Sequence, residues 1–257
     1  MAFTGCGSAF GREIAPGVHI VGPTRGALKK GGYSKSYLFE EPDDGTLALV
    51  DTGWDDDARV ILGYLDDIGR SPRQLEHIVI THAHRSHLGG VARLKELSGA
   101  RVSCHAEEAP IVEGDRRAKR IRPWPWPPVL FLFRVASWLP WVRHKRCDVD
   151  HYLVDEEVVG PLTVIHTPGH TPGHLVLSYG DTVLAVGDAV ATWPKFAAGW
   201  PGFNRNERLY RKSLVQVVNR SPSVVGPGHG EAIVEDTAAR LRTLIQGRKY
   251  KDLDTTA

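Results

Sequence analysis

The sequence predicts a layered α/β fold, and three observations support this class. The 257 residues suffice for one large domain with a substantial core, and their 42% hydrophobic and 24% charged content is typical of globular proteins. Short apolar runs of strand length alternate with segments of helical period. No linker-like stretch divides the chain. We therefore expect a single domain over residues 1–257, with an insertion at about 111–147.

The first half of the chain is predicted to contain five strands and two helices. Each strand is a short run of apolar residues bounded by turn residues. These runs are 18–21, 36–39, 46–50, 77–80 and 101–104. Apolar side chains recur with a helical period over 58–68 and 91–97, which predicts two helices.

The second half repeats this design after the insertion. Strands are predicted at 162–165, 174–178, 182–186 and 223–225, and helices over 207–218 and 235–246. In both halves an apolar strand runs into a sharp turn that contains Gly or Pro, and His or Asp follows. Side chains with metal-binding chemistry are therefore expected where the strands end.

Charge and cysteine content exclude several classes of protein. The chain has 32 Lys and Arg against 30 Asp and Glu, and a net charge of +2 argues against a chain-wide nucleic-acid binder. Cys6, Cys104 and Cys147 have no paired spacing, which fits a reducing compartment better than a disulfide framework. The first fifteen residues contain no apolar run of signal-peptide length. We expect a cytoplasmic protein.

Five of the twelve histidines and one aspartate lie where predicted strands end. They are His82, His84, His87, His170, His229 and Asp188. Imidazoles together with a carboxylate are the usual ligands of a catalytic transition metal. The Gly and Pro residues around them bend the backbone, so that the side chains can be aimed at one point. The residues alone predict a metal centre at one edge of the sheet.

Five short motifs lie in order along the chain: LVDTG at 49–53, THAHRSHLGG at 81–90, TPGHTPGH at 167–174, VGD at 186–188 and GHG at 228–230. Together and in this order they resemble the motifs of the metallo-beta-lactamase superfamily. The resemblance covers nearly the whole chain. It implies a four-layer αβ/βα sandwich, in which two β-sheets pack face to face with helices outside and the metal site lies at the edge between the sheets.

The resemblance also implies a role for each strand-end residue. The family's ligands fall on His82, His84 and His170 for a first metal, on His87 and His229 for a second, and on Asp188 as the carboxylate shared by both. One or two Zn ions are implied, with a metal-bound hydroxide that attacks an ester, thioester or lactone carbonyl. Asp188 would hold the metal and orient the water, so Asp188 and the three first-site histidines are the predicted catalytic residues.

Two further positions near these ligands carry predictions. The family normally has Asp immediately before the residue that His87 matches, but Ser86 stands there. A serine hydroxyl is neutral and short, so we expect the second metal to bind more weakly than the first. Asp51 matches an outer carboxylate that hydrogen-bonds a ligand or holds its turn. A plain N-cap role for Asp51, at the helix that follows it, is the alternative.

Several functions remain open at the level of sequence. A mononuclear or weakly dinuclear hydrolase is the primary hypothesis, because the first site is intact. A metal-binding family member with little activity at a lipid surface, or an altered site, is one alternative. Another is a mononuclear iron oxygenase, similar to persulfide dioxygenases, with His82, His170 and Asp188 as Fe ligands. The short segment after His229 argues against the glutathione substrate of glyoxalase II-like members.

The insertion is basic and rich in tryptophan. Residues 116–146 contain nine Lys or Arg, no Asp or Glu, and four of the seven tryptophans. The resemblance implies that such an insertion lies over the metal edge. We expect a substrate lid formed by Trp126, Phe131, Phe133 and Trp138, and hence a small-molecule substrate with an apolar part.

Two other uses of the insertion are weighed against the lid. Its apolar stretch of about fourteen residues is shorter than the ~20 that span a bilayer, so it is not a transmembrane helix. Tryptophan beside positive charge is typical of peripheral contact with an anionic membrane, here at the inner membrane face. Aromatic residues among basic ones also bind nucleic acid in some proteins, but we expect no nucleic acid as a partner.

Overall fold

Two β-sheets lie face to face in the computed structural model, which describes residues 8–22, 34–115, 144–180, 182–199, 203–246 and 250. The first sheet has seven strands in chain order. They are β1 (Gly11–Ala15), β2 (Val18–Val21), β3 (Ser36–Glu40), β4 (Leu47–Val50), β5 (Leu75–Val79), β6 (Arg101–His105) and β7 (His151–Leu153). Strands β1 to β4 pair antiparallel, and β4 to β7 pair parallel.

The second sheet has five strands in the order β12-β11-β10-β9-β8. They are β8 (Val158–Val159), β9 (Leu162–His166), β10 (Leu175–Tyr179), β11 (Val183–Gly187) and β12 (Val224–Pro227). Strand β11 pairs parallel with β12, and the remaining pairs are antiparallel. Because β11 and β12 run in the same direction, the loops that follow them lie at the same edge of this sheet.

Six α-helices and one short 3-10 helix lie among the described residues. They are α1 (Arg59–Asp67), the 3-10 helix Pro72–Gln74, α2 (Arg85–Leu88), α3 (Val91–Ser98), α4 (Ala109–Val112), α5 (Glu207–Asn219) and α6 (Thr237–Leu244). Helices α1 and α3 pack on the outer face of the first sheet. Helices α5 and α6 pack on the outer face of the second sheet.

Side chains that point alternately to the two faces of each strand divide the hydrophobic core into three layers. Leu38 faces α1 and α3, whereas its neighbour Phe39 packs between the two sheets. Val164 likewise lies between the sheets, and its neighbour Ile165 faces α5 and α6. Successive strand residues point to opposite faces, so strands covered on both sides are apolar throughout. The order of layers is helix, sheet, sheet, helix.

The predicted elements differ from the observed ones mainly at their ends. The helix predicted over 235–246 is α6, which begins only at Thr237 because Asp236 adopts a left-handed conformation with φ 50°. The helix predicted over 58–68 is α1, and Ala58 marks its start with φ 53°. The sequence prediction missed β1, β7, β8, α2 and α4.

The predicted lid lies outside the described residues. Trp126, Phe131, Phe133 and Trp138 all fall within 116–143, so their role stays a prediction. Among the residues that are described, none of the helices combines the length and the apolar character needed to cross a membrane.

Candidate metal centre

The six predicted ligands come together at one edge of the sandwich. His82 and His84 follow β5, and His87 lies on α2 directly after them. The remaining three follow strands of the second sheet: His170 lies between β9 and β10, Asp188 follows β11, and His229 follows β12. Their side chains form two groups with ligand atoms within 4.8 Å of one another, His82–His84–His170–Asp188 and His87–Asp188–His229.

The first group, called the first cluster here, has the spacing of tetrahedral metal ligands. Nδ1 of His84 lies 3.0 Å from Nε2 of His82 and 3.1 Å from Nε2 of His170. Oδ2 of Asp188 lies 3.2 Å from Nε2 of His170 and 3.5 Å from Nε2 of His82. Bonds of 2.0–2.1 Å to a tetrahedral zinc ion place neighbouring ligand atoms about 3.3 Å apart. The four donors therefore fit one such ion.

The second group, called the second cluster, uses the other oxygen of the same carboxylate. Oδ1 of Asp188 lies 3.5 Å from Nε2 of His87 and 3.5 Å from Nε2 of His229. Nε2 of His87 and Oδ1 of Asp188 are buried without a hydrogen-bond partner in the described part of the chain. Leaving such an atom unpaired costs about 1–3 kcal/mol. A cation between the two atoms would satisfy both, so the residues fit a second divalent metal.

Asp51 orients ligands of both clusters. Its Oδ2 accepts a hydrogen bond from Nδ1 of His87 at 2.7 Å, so Nε2 is the nitrogen of His87 that faces the second cluster. The same carboxylate accepts from the backbone N–H and the hydroxyl of Thr81, and Nδ1 of His82 lies 3.0 Å from that hydroxyl. Such outer partners fix the tautomer and the ring orientation of a ligand. The N-cap alternative for Asp51 is wrong, because the N-cap of α1 is Ala58.

Asn204 is an outer partner that the sequence did not reveal. Nδ1 of His170 lies 3.1 Å from Oδ1 of Asn204, and Nδ2 of Asn204 donates to Glu207 at the start of α5. His170 therefore presents Nε2 to the first cluster. The two residues are 34 positions apart, and no motif includes Asn204.

His174 is buried close to the first cluster but has a structural role. Its Nδ1 lies 2.8 Å from Oγ1 of Thr167, and its Nε2 accepts from the backbone N–H of Asp188 at 3.2 Å. Both ring nitrogens are thus occupied, and the second bond fixes the backbone at Asp188. Gly187 has φ 49°, and a Cβ there would lie 2.9 Å from Nε2 of His174. This close approach requires glycine.

Ser86 is half-buried on α2, next to the ligand position His87. Its hydroxyl is neutral, so it adds no anionic ligand beside His87. The second cluster consequently contains two imidazoles and one carboxylate, whereas the first contains three imidazoles and shares that carboxylate. Weaker binding of a second metal stays a prediction. Its physical basis is that the second cluster has no carboxylate of its own to attract a cation.

Electrostatics keep the first cluster in the form that binds metal. Burial, together with His87, holds the pKa of His82 well below its ordinary value. Burial and then His170 lower the pKa of His84 to about 3. Burial opposes ionisation of Asp188, but His229 and His87 outweigh it and hold the pKa of that carboxyl well below its usual range. Near pH 7 both imidazoles are neutral and the carboxylate is charged.

His87 behaves differently in the metal-free protein. Burial disfavours its charged form, but the carboxylates of Asp51 and Asp188 outweigh burial and raise the pKa of His87 to about 10. Below that pH a proton occupies Nε2, the nitrogen that faces Asp188. A metal in the second cluster must displace this proton.

We therefore expect binding of a second zinc ion to release about one proton and to strengthen as the pH rises, by about tenfold per unit below pH 10. Titration calorimetry at pH 7 and 8, in buffers of different ionisation enthalpy, measures both quantities. Asp51→Asn removes one of the two carboxylates that raise this pKa, so the variant should release less than a full proton. Binding that is independent of pH in the wild-type protein would contradict the assignment.

The comparison with protein families identifies the class of this chain. The family model described as the metallo-beta-lactamase superfamily matches residues 30–229. The chain therefore belongs to the metallo-beta-lactamase superfamily. The predicted αβ/βα sandwich, with the cluster of histidines and Asp188 at the edge between its two sheets, is confirmed.

Individual relatives are similar over different shares of the chain. The probable metallo-hydrolase YflN of Bacillus subtilis is 30% identical over 188 residues, which are 70% of this chain and 66% of that protein. The hydroxyacylglutathione hydrolase of Pseudomonas paraeruginosa is 42% identical over 72 residues, which are 28% of this chain and 26% of that enzyme. The match thus spans about two thirds of the first relative and a quarter of the second.

A solved structure is similar to this fold over a larger share of the chain. The metallo-beta-lactamase family protein of Thermus thermophilus superposes with a TM-score of 0.64 at 25% sequence identity. The superposition covers 90% of this chain and 79% of that one. The arrangement of the two sheets is therefore shared across most of both chains.

Proposed function

We propose that the protein is a metal-dependent hydrolase that cleaves an ester, thioester or lactone bond in a small molecule with an apolar part. The observation that carries this proposal is the shared carboxylate, since each oxygen of Asp188 faces a separate set of imidazoles. Membership of the family and similarity to a probable metallo-hydrolase support hydrolysis. The local similarity to a hydroxyacylglutathione hydrolase adds acyl transfer to water as the reaction to test first.

The arrangement provides what hydrolysis of a carbonyl compound requires. A divalent metal bound by the first cluster would supply a Lewis acid, which polarises a carbonyl and acidifies water. His82 and His170 are buried, and their Nδ1 atoms contact Thr81 and Asn204, so both rings present Nε2 to that metal. In the net reaction the hydroxyl of water joins the acyl carbon. The bond to the leaving oxygen or sulfur breaks, and that atom takes the remaining proton.

The donor set favours zinc over the iron alternative. Iron oxygenases of the two-histidine, one-carboxylate type leave three positions open for oxygen and substrate. His82, His170 and Asp188 would provide that set, but Nδ1 of His84 lies within 3.1 Å of both imidazoles and adds a third nitrogen. Three imidazoles match the nitrogen-rich donor set of a catalytic zinc ion, which can expand to five ligands and so accept a water beside the carboxylate. We propose Zn as the metal.

Two partly exposed aromatic side chains are adjacent in sequence to residues that contact the metal-site histidines. Trp193 and Phe203 are each 37% exposed, although large aromatic residues are mostly buried. The residue before Trp193 donates its backbone N–H to the carbonyl of His229, and the residue after Phe203 contacts His170. Segments attached to both clusters thus present apolar surface, which supports a substrate with an apolar part.

The remaining predictions about partners concern residues outside the described ranges. The substrate lid and peripheral contact with an anionic membrane both rest on residues 116–146, of which only 144–146 are described. They stay proposals for the same insertion, as does the cytoplasmic location.

The test is hydrolysis of acyl esters, acyl thioesters and lactones of increasing chain length, by zinc-loaded and metal-stripped protein. We expect zinc-dependent turnover and a lower KM for longer acyl chains. Trp193→Ala and Phe203→Ala should each raise KM for long chains more than for acetyl substrates. The difference corresponds to a loss of about 1–3 kcal/mol of substrate binding free energy per side chain.

The matched control is Tyr152→Ala, because Tyr152 is 52% exposed on the edge strand β7 and belongs to neither cluster. That variant should leave chain-length preference unchanged. Absence of zinc-dependent turnover on all three bond types would overturn the proposed hydrolase. Bound iron with consumption of oxygen would support the oxygenase instead.

A further inference from the structure

Glu108 is a buried carboxylate that belongs to none of the metal-binding motifs. Its side chain is 1% exposed, and it lies immediately before α4, in the turn that follows β6. Charged side chains are rarely buried without partners that satisfy them. The partners of Glu108 therefore indicate what this carboxylate does.

The two oxygens of Glu108 bind two different loops. Oε2 accepts the backbone N–H of Ala83 at 2.8 Å, and Oε1 accepts the backbone N–H of Gly173 at 2.9 Å. Ala83 lies between His82 and His84, and Gly173 lies three residues after His170. A single side chain thus joins the two loops that supply all three imidazoles of the first cluster.

The contact also joins the two halves of the sandwich. The loop with Ala83 follows β5 of the first sheet, whereas the loop with Gly173 connects β9 and β10 of the second sheet. The backbone N–H of Leu175, the first residue of β10, donates to the carbonyl of Thr81 at 2.9 Å, which joins the same two segments at a second point. The side chain of Glu108 and this backbone bond therefore hold the two segments together at separate positions.

The packing around Gly173 provides an independent observation. A Cβ at Gly173 would lie 2.9 Å from Cγ of Glu108 and 2.7 Å from Nδ1 of His105, so the loop approaches this corner as closely as glycine allows. The His105 ring stacks on that of His166, with centroids 4.4 Å apart. His166 in turn contacts the carbonyl of Pro172 at 2.9 Å. The corner after β6 therefore holds this loop by several contacts.

We propose that Glu108 is a positioning residue that sets the separation of His82 and His84 from His170, and with it the affinity and geometry of the first metal site. This inference rests on the proposed metal-dependent function. Zinc binding requires ligand atoms held near tetrahedral spacing, so a change in the separation of the loops weakens binding even when every ligand is present.

The experiment measures zinc affinity by competition with a chromophoric chelator, and the geometry of the first site by the visible absorption of the Co²⁺-substituted protein. Glu108→Gln keeps the size of the side chain, but its amide offers only one oxygen to the two N–H groups. We expect its affinity for the first zinc ion to fall by about 10- to 100-fold, with a changed Co²⁺ spectrum.

Three variants separate positioning from other effects. Glu107→Gln, at the exposed neighbouring position, should match the wild type in both measurements. Leu241→Ala creates a cavity under α6, so it should lower the melting temperature while zinc affinity and the Co²⁺ spectrum stay unchanged. Glu108→Asp keeps the charge but is one methylene shorter, so it cannot reach both loops and should also bind zinc more weakly.

The outcomes distinguish this inference from the proposed function. Wild-type protein that binds zinc, together with a Glu108→Gln variant of equal affinity and equal Co²⁺ spectrum, overturns the role of Glu108 alone. Glu108→Asp that matches the wild type would show that charge, not the bridge between loops, determines affinity, and would also overturn it. Wild-type protein that binds no zinc overturns the metal-dependent function and the inference with it.

Discussion

His82→Ala is expected to remove the tightly bound metal and the stability that the metal confers. His82 is fully buried and provides one of the three nitrogens of the first cluster. A ligand that binds only the folded state stabilises it by about 4 kcal/mol when its free concentration is 1,000 times Kd. For a protein of this size, that corresponds to a rise in Tm of roughly 8–16 °C.

Metal content by elemental analysis and Tm with and without a chelator measure the two effects. Wild-type protein should lose most of this increment in the chelator, whereas His82→Ala should show no difference. His151→Ala is the control, because His151 lies on edge strand β7 and belongs to neither cluster. A His82→Ala protein that retains a full equivalent of metal would show that the ligands lie elsewhere.

Ser86→Asp is expected to raise the affinity for a second metal. The substitution adds an anion beside His87, in a cluster whose only carboxylate is shared with the first site. Two unit charges 4 Å apart attract by about 4 kcal/mol at an effective dielectric constant of 20, and part of this is offset by desolvation of the new carboxylate. We expect a gain of at least about tenfold, or 1.4 kcal/mol.

Titration calorimetry with zinc, on protein already loaded with one equivalent, isolates this second step. Ser71→Asp is a matched control, because Ser71 caps the 3-10 helix and aspartate serves equally well as an N-cap. That variant adds the same charge away from the clusters and should leave both zinc affinities unchanged. Equal second-step affinity in Ser86→Asp would mean that another group already supplies the missing ligand.

The sequence predicted most reliably the strands that are buried along their whole length. Strands such as β4 and β11 are buried along their whole length, and their unbroken apolar runs are visible without a structure. Strand β1 was missed because it contains Arg12 and Glu13, which are exposed on an edge strand. Strand β8 has only two residues, and α2 only four, so neither is long enough to show a period.

Some residues of the candidate site were also predictable from the sequence, and others were not. The convergence of the five histidines and Asp188 was predictable because each lies in a short motif at or just after the end of a strand, and the structure brings their ligand atoms within 4.8 Å in two groups. Glu108 and Asn204 were not predictable. Glu108 binds through backbone N–H groups 25 and 65 residues away, and any residue at those positions except proline would offer the same donor. Such contacts leave no pattern in the sequence.

The division of Asp188 between the clusters couples their occupancies. A cation in the first cluster would hold the carboxylate and so keep Oδ1 directed toward His87 and His229 for a second cation. The same cation would repel the second one by its charge. Together these opposing effects would change the dissociation constant of the second ion by some factor. Because binding equilibria at linked sites are reciprocal, the second ion would change the dissociation constant of the first by the same factor. The extent to which a chelator strips one ion at equilibrium would therefore depend on whether the other ion is still in place.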